Sequence, residues 1–121
     1  MARTVLVADD SPIIRKLLCE LFEAEENYDI CAEATNGREA IELALLHRPE
    51  LIILDFSMPV LNGIDAAGEL KRLMPDVPII LFTQYADLSN IVFAIGAPVD
   101  RIVSKTNPTE LMQHVKSLLP A

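Results

Sequence analysis

The chain has 121 residues, enough to bury one core without disulfides or metal staples and few for two domains. Hydrophobic residues make up 51% and charged residues 23%, an ordinary balance for a globular protein. A net charge of −8, with only 10 basic residues, offers no electrostatic footprint for nucleic acid or an anionic membrane surface. No apolar stretch approaches the roughly 20 residues of a membrane span, and the short run between Arg3 and Asp9 is too brief for a secretory leader. A cytoplasmic location is therefore expected. Cys19 and Cys31 form no C-x-x-C pair and sit among apolar residues, which reads as reduced core thiols.

In chain order, Thr4 to Ala8 (TVLVA) is an apolar run of strand length ending on Asp9-Asp10. Ser11 follows as a helix N-cap, with Pro12 at the first helical position, where its missing N–H costs nothing. Ile13, Ile14, Leu17, Leu18, Leu21 and Phe22 recur at helical spacing and predict one buried stripe through about Glu26. The Glu23 to Glu26 run reads as a solvated helix end. Asp29 to Ala34 is a second strand, broken by Asn36-Gly37. Arg38 to Arg48 is then a helix with Ala40, Ile41, Ala44 and Leu45 inward, stopped by Pro49.

Leu51 to Leu54 (LIIL) shows no polar alternation, so both of its faces should be buried, as in a central strand of a parallel sheet. It ends on Asp55, at the strand end where open α/β sheets place their ligands, and a Met58-Pro59 turn follows. Gly63 to Met74 is helical, with Ile64, Ala67, Leu70 and Met74 on one side, and Pro75 ends it. Val77 to Phe82 is a fourth strand, followed by a weaker helix from about Asp87 to Ile95. Gly96-Ala97-Pro98 turns the chain into a short strand from Arg101 to Ser104. Asn107-Pro108-Thr109-Glu110 combines an N-cap, a proline at the first position and a glutamate three after the cap, a strong helix start. Leu111, Val115, Leu118 and Leu119 form its buried stripe. His47 and His114 fall on helices away from the strand ends and read as solvated.

Strand and helix alternate five times, an order that demands parallel pairing and right-handed crossovers with helices on both faces. The expectation is a doubly wound α/β three-layer sandwich in a single domain spanning 1–121. Loops after strands one, three, four and five then open on one edge. Their first polar residues are Asp9 and Asp10, Asp55, Thr83 and Lys105. Two carboxylates ~4 Å apart repel by about 4 kcal/mol at an effective dielectric of 20, a cost tolerable only beside a cation. Lys105 neutralises one charge, and the remaining oxygen-only donors favour Mg²⁺. This set can hold a phosphoryl group, with Asp55 as nucleophile, Lys105 pairing an oxygen and Thr83 donating a hydrogen bond. A Gly-rich phosphate loop is missing, so a small activated phosphodonor suits the chain better than ATP.

The stretches VLVADDSPIIRKLL, IILDFSMPVLNG, ILFTQYA and GAPVDRIVSK together resemble the receiver domain of two-component response regulators, over essentially the whole chain. The resemblance implies a flavodoxin-like (βα)5 fold with strand order 2-1-3-4-5, and phosphotransfer from a sensor histidine kinase to Asp55. It implies Asp10, Asp55 and the Ser57 backbone carbonyl as direct Mg²⁺ ligands, with Asp9 acting through water. It implies Lys105 on the phosphoryl oxygens and Thr83 as the residue that moves when the phosphoryl arrives. Such a protein is a signalling phosphoacceptor that catalyses only its own phosphorylation and dephosphorylation. The ending KTNPTEL is similar to receivers that precede a helix-turn-helix DNA-binding domain, which leaves a fused or a free-standing receiver open. The output face implied lies on the fourth helix, fifth strand and fifth helix, with Val92, Phe93, Arg101 and His114 as contacts and dimerisation on phosphorylation as its use.

Three departures from the family pattern stand out. Ile102 takes the place of an aromatic three residues before Lys105, so output must travel through backbone or helix displacement. Gln84 follows Thr83 where a small residue is usual, and either narrows access to Asp55 or adds a hydrogen bond. Thr106 follows Lys105 where proline is usual, so a cis peptide is not required there. Ser57 and Tyr85 flank the path of an attacking water. Two other classes stay open: a degenerate receiver that binds partners without phosphorylation, and a phosphohydrolase of the haloacid dehalogenase type. The latter needs a second aspartate two residues after the nucleophile, where this chain has Ser57, and a cap domain for which 121 residues leave no room.

Overall fold

The LIIL run forms β3 (Leu51–Leu54), the middle strand of a sheet, and its four residues are at most 1% exposed. The protein is seen in a computed structural model that describes residues 2–84, 96 and 98–121. The other strands are β1 (Arg3–Ala8), β2 (Tyr28–Ala34), β4 (Ile79–Thr83) and β5 (Arg101–Ser104). Helices among the described residues are α1 (Pro12–Glu23), α2 (Gly37–His47), α3 (Gly63–Leu73) and α4 (Pro108–Leu118). All strand pairs are parallel, in the order β2-β1-β3-β4-β5. The helix expected over 87–95 lies outside the described residues, as do Tyr85, Val92 and Phe93.

Alternate side chains of the central strands fill opposite sides of the sheet. Leu6, Ala8, Ile52, Leu54, Ile79 and Leu81 pack with Ala40 and Ala44 of α2 and Ala66, Ala67 and Leu70 of α3. Val5, Val7, Leu51, Ile53, Ile80 and Phe82 pack on the other side with Leu18 and Phe22 of α1 and Leu111 and Val115 of α4. Burial of each such side chain stabilises the fold by about 1.5–3 kcal/mol relative to leaving it exposed. The small alanines of α2 and α3 let those helices lie close to the sheet. In β2 the register slips by one residue, with Val5 opposite Ile30 and Leu6 opposite Ala32, so Cys31 is the extra residue of a β-bulge.

Several sequence expectations need correction. Ile13 is 78% exposed, because the buried line of α1 runs through Ile14, Leu18, Leu21 and Phe22 and leaves Ile13 a step around the helix. The helix also ends at Glu23, with Ala24 as its cap, and Glu25 pairs with Lys116 at 2.9 Å where a solvated end was expected. Strand β4 starts at Ile79, past Pro78, which has no N–H for the ladder. Asn107 does not cap α4 through its side chain; that amide donates to Glu110 Oε2 at 2.9 Å, and Pro108 starts the helix. Cys19 and Cys31 are only half-buried and unpaired. Burial, helped by the Glu33 carboxylate, pushes the Cys19 thiol up to about 11, which keeps it protonated at neutral pH. His114 is half-buried, with Nε2 3.4 Å from Glu110 Oε1, whereas His47 is exposed.

The segment between β3 and α3 is held by close backbone approach. Gly37 N–H donates to the Leu61 carbonyl at 3.0 Å, and Gly63 N–H to the Phe56 carbonyl at 2.9 Å. A Cβ on Gly63 would fall inside the Asp55 carbonyl, and one on Gly37 inside the Leu61 carbonyl. Asn62 then caps α3 by accepting from Asp65 N–H at 2.9 Å. Gly63→Ala is expected to destabilise the protein by about 1–3 kcal/mol, the range for forcing an extra methyl group into a packed site. Urea denaturation of the variant against Gly68→Ala, whose Cβ meets open space, checks this.

Candidate functional site

The site residues sit one rung beyond the strands that carry them. Asp9 N–H donates to the Ala34 carbonyl at 3.0 Å, Asp55 N–H to the Ala8 carbonyl at 2.9 Å, and Lys105 N–H to the Thr83 carbonyl at 2.9 Å. The parallel ladder thus continues just past β1, β3 and β5 and sets where those side chains start. At the carboxyl edge, oxygens of Asp9, Asp10 and Asp55 all lie within 4.8 Å of one another. Asp9 and Asp55 are buried, at 1% and 5% exposure, and Asp10 is exposed.

Lys105 reaches into this cluster, with Nζ 2.7 Å from Asp9 Oδ2 and 3.2 Å from Asp55 Oδ1. The other Asp9 oxygen accepts the Ser11 N–H at 2.9 Å, while Ser11 Oγ caps α1 by accepting from Ile14 N–H at 3.3 Å. Both Asp9 oxygens are therefore engaged. Burial and the charge of Asp9 push the Asp55 carboxyl above its ordinary value, against the opposing pull of Lys105 and of a hydrogen bond from the Ser57 backbone. Burial alone would lower the Lys105 ammonium, but its hydrogen bond to Asp9 and the charges of Asp55 and Asp9 outweigh it and hold it raised.

Three carboxylates against one ammonium leave a surplus of two negative charges in a partly dry corner. Hard oxygen donors with a raised Asp55 are what a divalent cation would relieve, so the acidic cluster fits a divalent metal site. An open cleft of about 530 Å³ leads to it, lined by Asp10, Ser11, Ile13, Ile14, Asp55, Ser57, Gln84, Lys105 and Thr106. Thr83 is fully buried at the end of β4 and Gln84 is exposed at the mouth. Ile102 packs, half-buried, against the core on the α2–α3 side, away from the cleft lining. No cis peptide occurs among the described residues, in keeping with Thr106 after Lys105.

The family model "Response regulator receiver domain" matches residues 5–116. The chain belongs to that family. This receiver is 49% identical over 84 residues to the transcriptional regulatory protein PdtaR of Mycobacterium tuberculosis, covering 68% of the chain and 40% of PdtaR. The chain thus spans well under half the length of that relative. It is 36% identical to the chemotaxis protein CheY of Halobacterium salinarum over 122 residues, covering 100% of each. Among solved structures, the response regulator TrrA of Thermotoga maritima, in complex with Mg(2+)-BeF, superposes with a TM-score of 0.86. It shares 37% identity, over 97% of this chain and 99% of that one. The flavodoxin-like receiver fold and its strand order are therefore established for the chain. No described helix is long and apolar enough to cross a membrane.

The sequence reading singled out the carboxylates and the lysine but passed over Ser11 as a ligand of Asp9, and over Arg15, whose Nη1 donates to the Asp9 carbonyl at 2.7 Å. The signal for Ser11 was its place directly after the acidic pair. Arg15, half-buried at the edge of the apolar stripe of α1 beside Leu18 and Phe22, offered one signal, a charge at the margin of the buried face.

Because the Asp55 carboxyl is raised, its ionisation opposes folding, starting near pH 3.8 and in full once pH exceeds the raised value. Asp55→Asn in metal-free protein is thus expected to raise stability at neutral pH by about 0.5–2 kcal/mol, the usual span of stabilising substitutions. The gain should fade below about pH 3.8, where both forms are uncharged. Thermal melts from pH 3 to 8 without divalent ions, set against wild type, measure it.

Proposed function

We propose that Asp55 accepts a phosphoryl group from a sensor histidine kinase in a Mg²⁺-dependent reaction, and that the modified receiver switches a protein-interaction surface. The observation that carries this reading is a buried Asp55 at the end of β3, held with Asp9 and Asp10 within 4.8 Å and with the Lys105 ammonium at 3.2 Å. Asp10, Asp55 and the Ser57 carbonyl would hold the cation directly and Asp9 through water. When bound, Mg²⁺ supplies positive charge to the phosphoryl oxygens.

A carboxylate oxygen of Asp55 attacks phosphorus while the bond to the donor imidazole nitrogen breaks, and the imidazole leaves with the electron pair. Lys105 pairs with a phosphoryl oxygen, and Thr83 donates to another after moving toward it. Ser57, Gln84 and Tyr85 shape access for donor and water. With Ile102 in place of an aromatic, the change passes to the β5–α4 face by backbone displacement. Arg101 and His114 line a cleft of about 520 Å³ there, with Asn107, Glu110 and Gln113. Dimerisation or an output domain, fused or separate, would use that face. The reading places the protein in the cytoplasm, treats 1–121 as one receiver domain, and assigns it no nucleic-acid or membrane contact of its own.

Incubation with acetyl phosphate and Mg²⁺ is expected to add one phosphate to wild type and none to Asp55→Asn, read by intact-protein mass spectrometry. EDTA should abolish the adduct. Continuous release of phosphate from a phosphoester would instead indicate a hydrolase, and a wild type without adduct would indicate a degenerate receiver. In the same assay Gln84→Ala should be phosphorylated faster than wild type; an equal or slower rate rejects a narrowing role for that side chain.

A further inference from the structure

Asp10 is the least anchored of the three carboxylates. It is exposed, and among the described residues neither a hydrogen bond nor an ion pair holds its side chain. Its oxygens nevertheless lie within 4.8 Å of those of Asp9 and Asp55. Without a side-chain partner, what fixes the start of that side chain, its Cα–Cβ bond, is the pair of peptide groups that flank it. The peptide before it carries the Asp9 carbonyl, which accepts from Arg15 Nη1 at 2.7 Å. The peptide after it carries the Ser11 N–H, which donates to Asp9 Oδ1 at 2.9 Å. Asp9 N–H is itself tied to the Ala34 carbonyl at 3.0 Å.

Arg15 is well placed for this task. Its side chain is 19% exposed, and its Nε lies 3.5 Å from Glu33 Oε1 on β2. A planar guanidinium can face a carbonyl and a carboxylate at once, with little freedom left over; a lysine ammonium cannot reproduce that fork. We propose that Arg15, oriented by Glu33, is a positioning residue for Asp10: by holding the Asp9–Asp10 peptide plane it aims the Asp10 carboxylate at the cation site. The proposal rests on reading the acidic cluster as a divalent cation site.

A mere staple between α1 and β2 would lower overall stability and leave cation affinity alone. A positioning role changes the affinity itself, since partners that orient metal ligands typically contribute about 10–100-fold. Arg15→Met keeps much of the aliphatic stem and removes the fork. Titration with Mg²⁺ alone, followed by the Asp10 and Ser11 amide NMR shifts, is expected to show a Kd about tenfold weaker than wild type. Arg15→Lys should fall in between. In metal-free protein the Ser11 amide should exchange its hydrogen faster in Arg15→Met. With acetyl phosphate, the apparent Mg²⁺ constant should rise in parallel, while the rate at saturating Mg²⁺ falls by much less.

An unchanged Kd in Arg15→Met, with or without a lower melting temperature, overturns the proposal. Should that variant fail to fold, Arg15→Lys decides on the same readouts, and a wild-type Kd there overturns it equally. A wild-type chain that binds Mg²⁺ but takes up no phosphoryl group sinks the phosphoacceptor reading alone. A tenfold Arg15 effect on that binding would still uphold this one. A wild-type chain that binds no Mg²⁺ sinks both.

Discussion

Three carboxylates share a corner with a single ammonium, and much of the surrounding structure is arranged to keep them there. Like charges ~4 Å apart cost about 4 kcal/mol per pair at an effective dielectric of 20, so the cluster would spread if its backbone could move. It cannot move far, because Asp9, Asp55 and Lys105 each close the next rung of the sheet ladder. The hydrophobic layers on both sides of β3 hold those rungs in place. Core burial and charge strain are thus coupled: apolar packing of the strands sustains an acidic site that would not assemble by itself.

The loop leaving Asp55 carries its own tension. Val60 is a β-branched, exposed residue at φ 70°, a region such residues rarely enter, and the Leu61 N–H donates to the Pro59 carbonyl at 2.7 Å across it. This is a tight γ-type turn, kept by its surroundings. Gly37 and Gly63 supply those surroundings, since only residues without a Cβ let α2 and α3 begin so close to the loop carbonyls.

What could be read beforehand was local. LIIL followed by Asp55 shows in a few residues that a fully buried strand ends on a carboxylate, and the Ser11-Pro12 pair marks a real helix start, whereas Asn36-Gly37, read as a strand break, also caps and opens α2. The features that escaped depend on partners distant in the chain. Ile13 matched the apolar period as well as Ile14 did, and only the packed sheet distinguishes them. Asn107 has the chemistry of a cap, but its own backbone carbonyl accepts the Glu110 N–H at 3.1 Å, the donor its side-chain oxygen would have capped. Glu25 looked solvated until α4 brought Lys116 within 2.9 Å of it. Arg15 is one polar residue among several on α1, and its contact with the Asp9 carbonyl exists only once helix and loop have docked.

The division of Lys105 between two carboxylates has a consequence for chemistry at Asp55. Its shorter contact, 2.7 Å, is with Asp9, and the longer, 3.2 Å, is with Asp55. An ammonium that depended on Asp55 alone would be left buried and unpaired whenever that carboxylate changed its charge or formed a bond, at a cost of several kcal/mol. Here Asp9 keeps the cation in place, and its other oxygen is locked by the Ser11 N–H so that it cannot swing away. The charge opposite Asp55 thereby stays positioned whatever the state of that carboxylate. Under the proposed phosphorylation, Lys105 could turn from the Asp55 oxygen to a phosphoryl oxygen without losing Asp9, so the covalent mark would gain a partner and leave no ion orphaned.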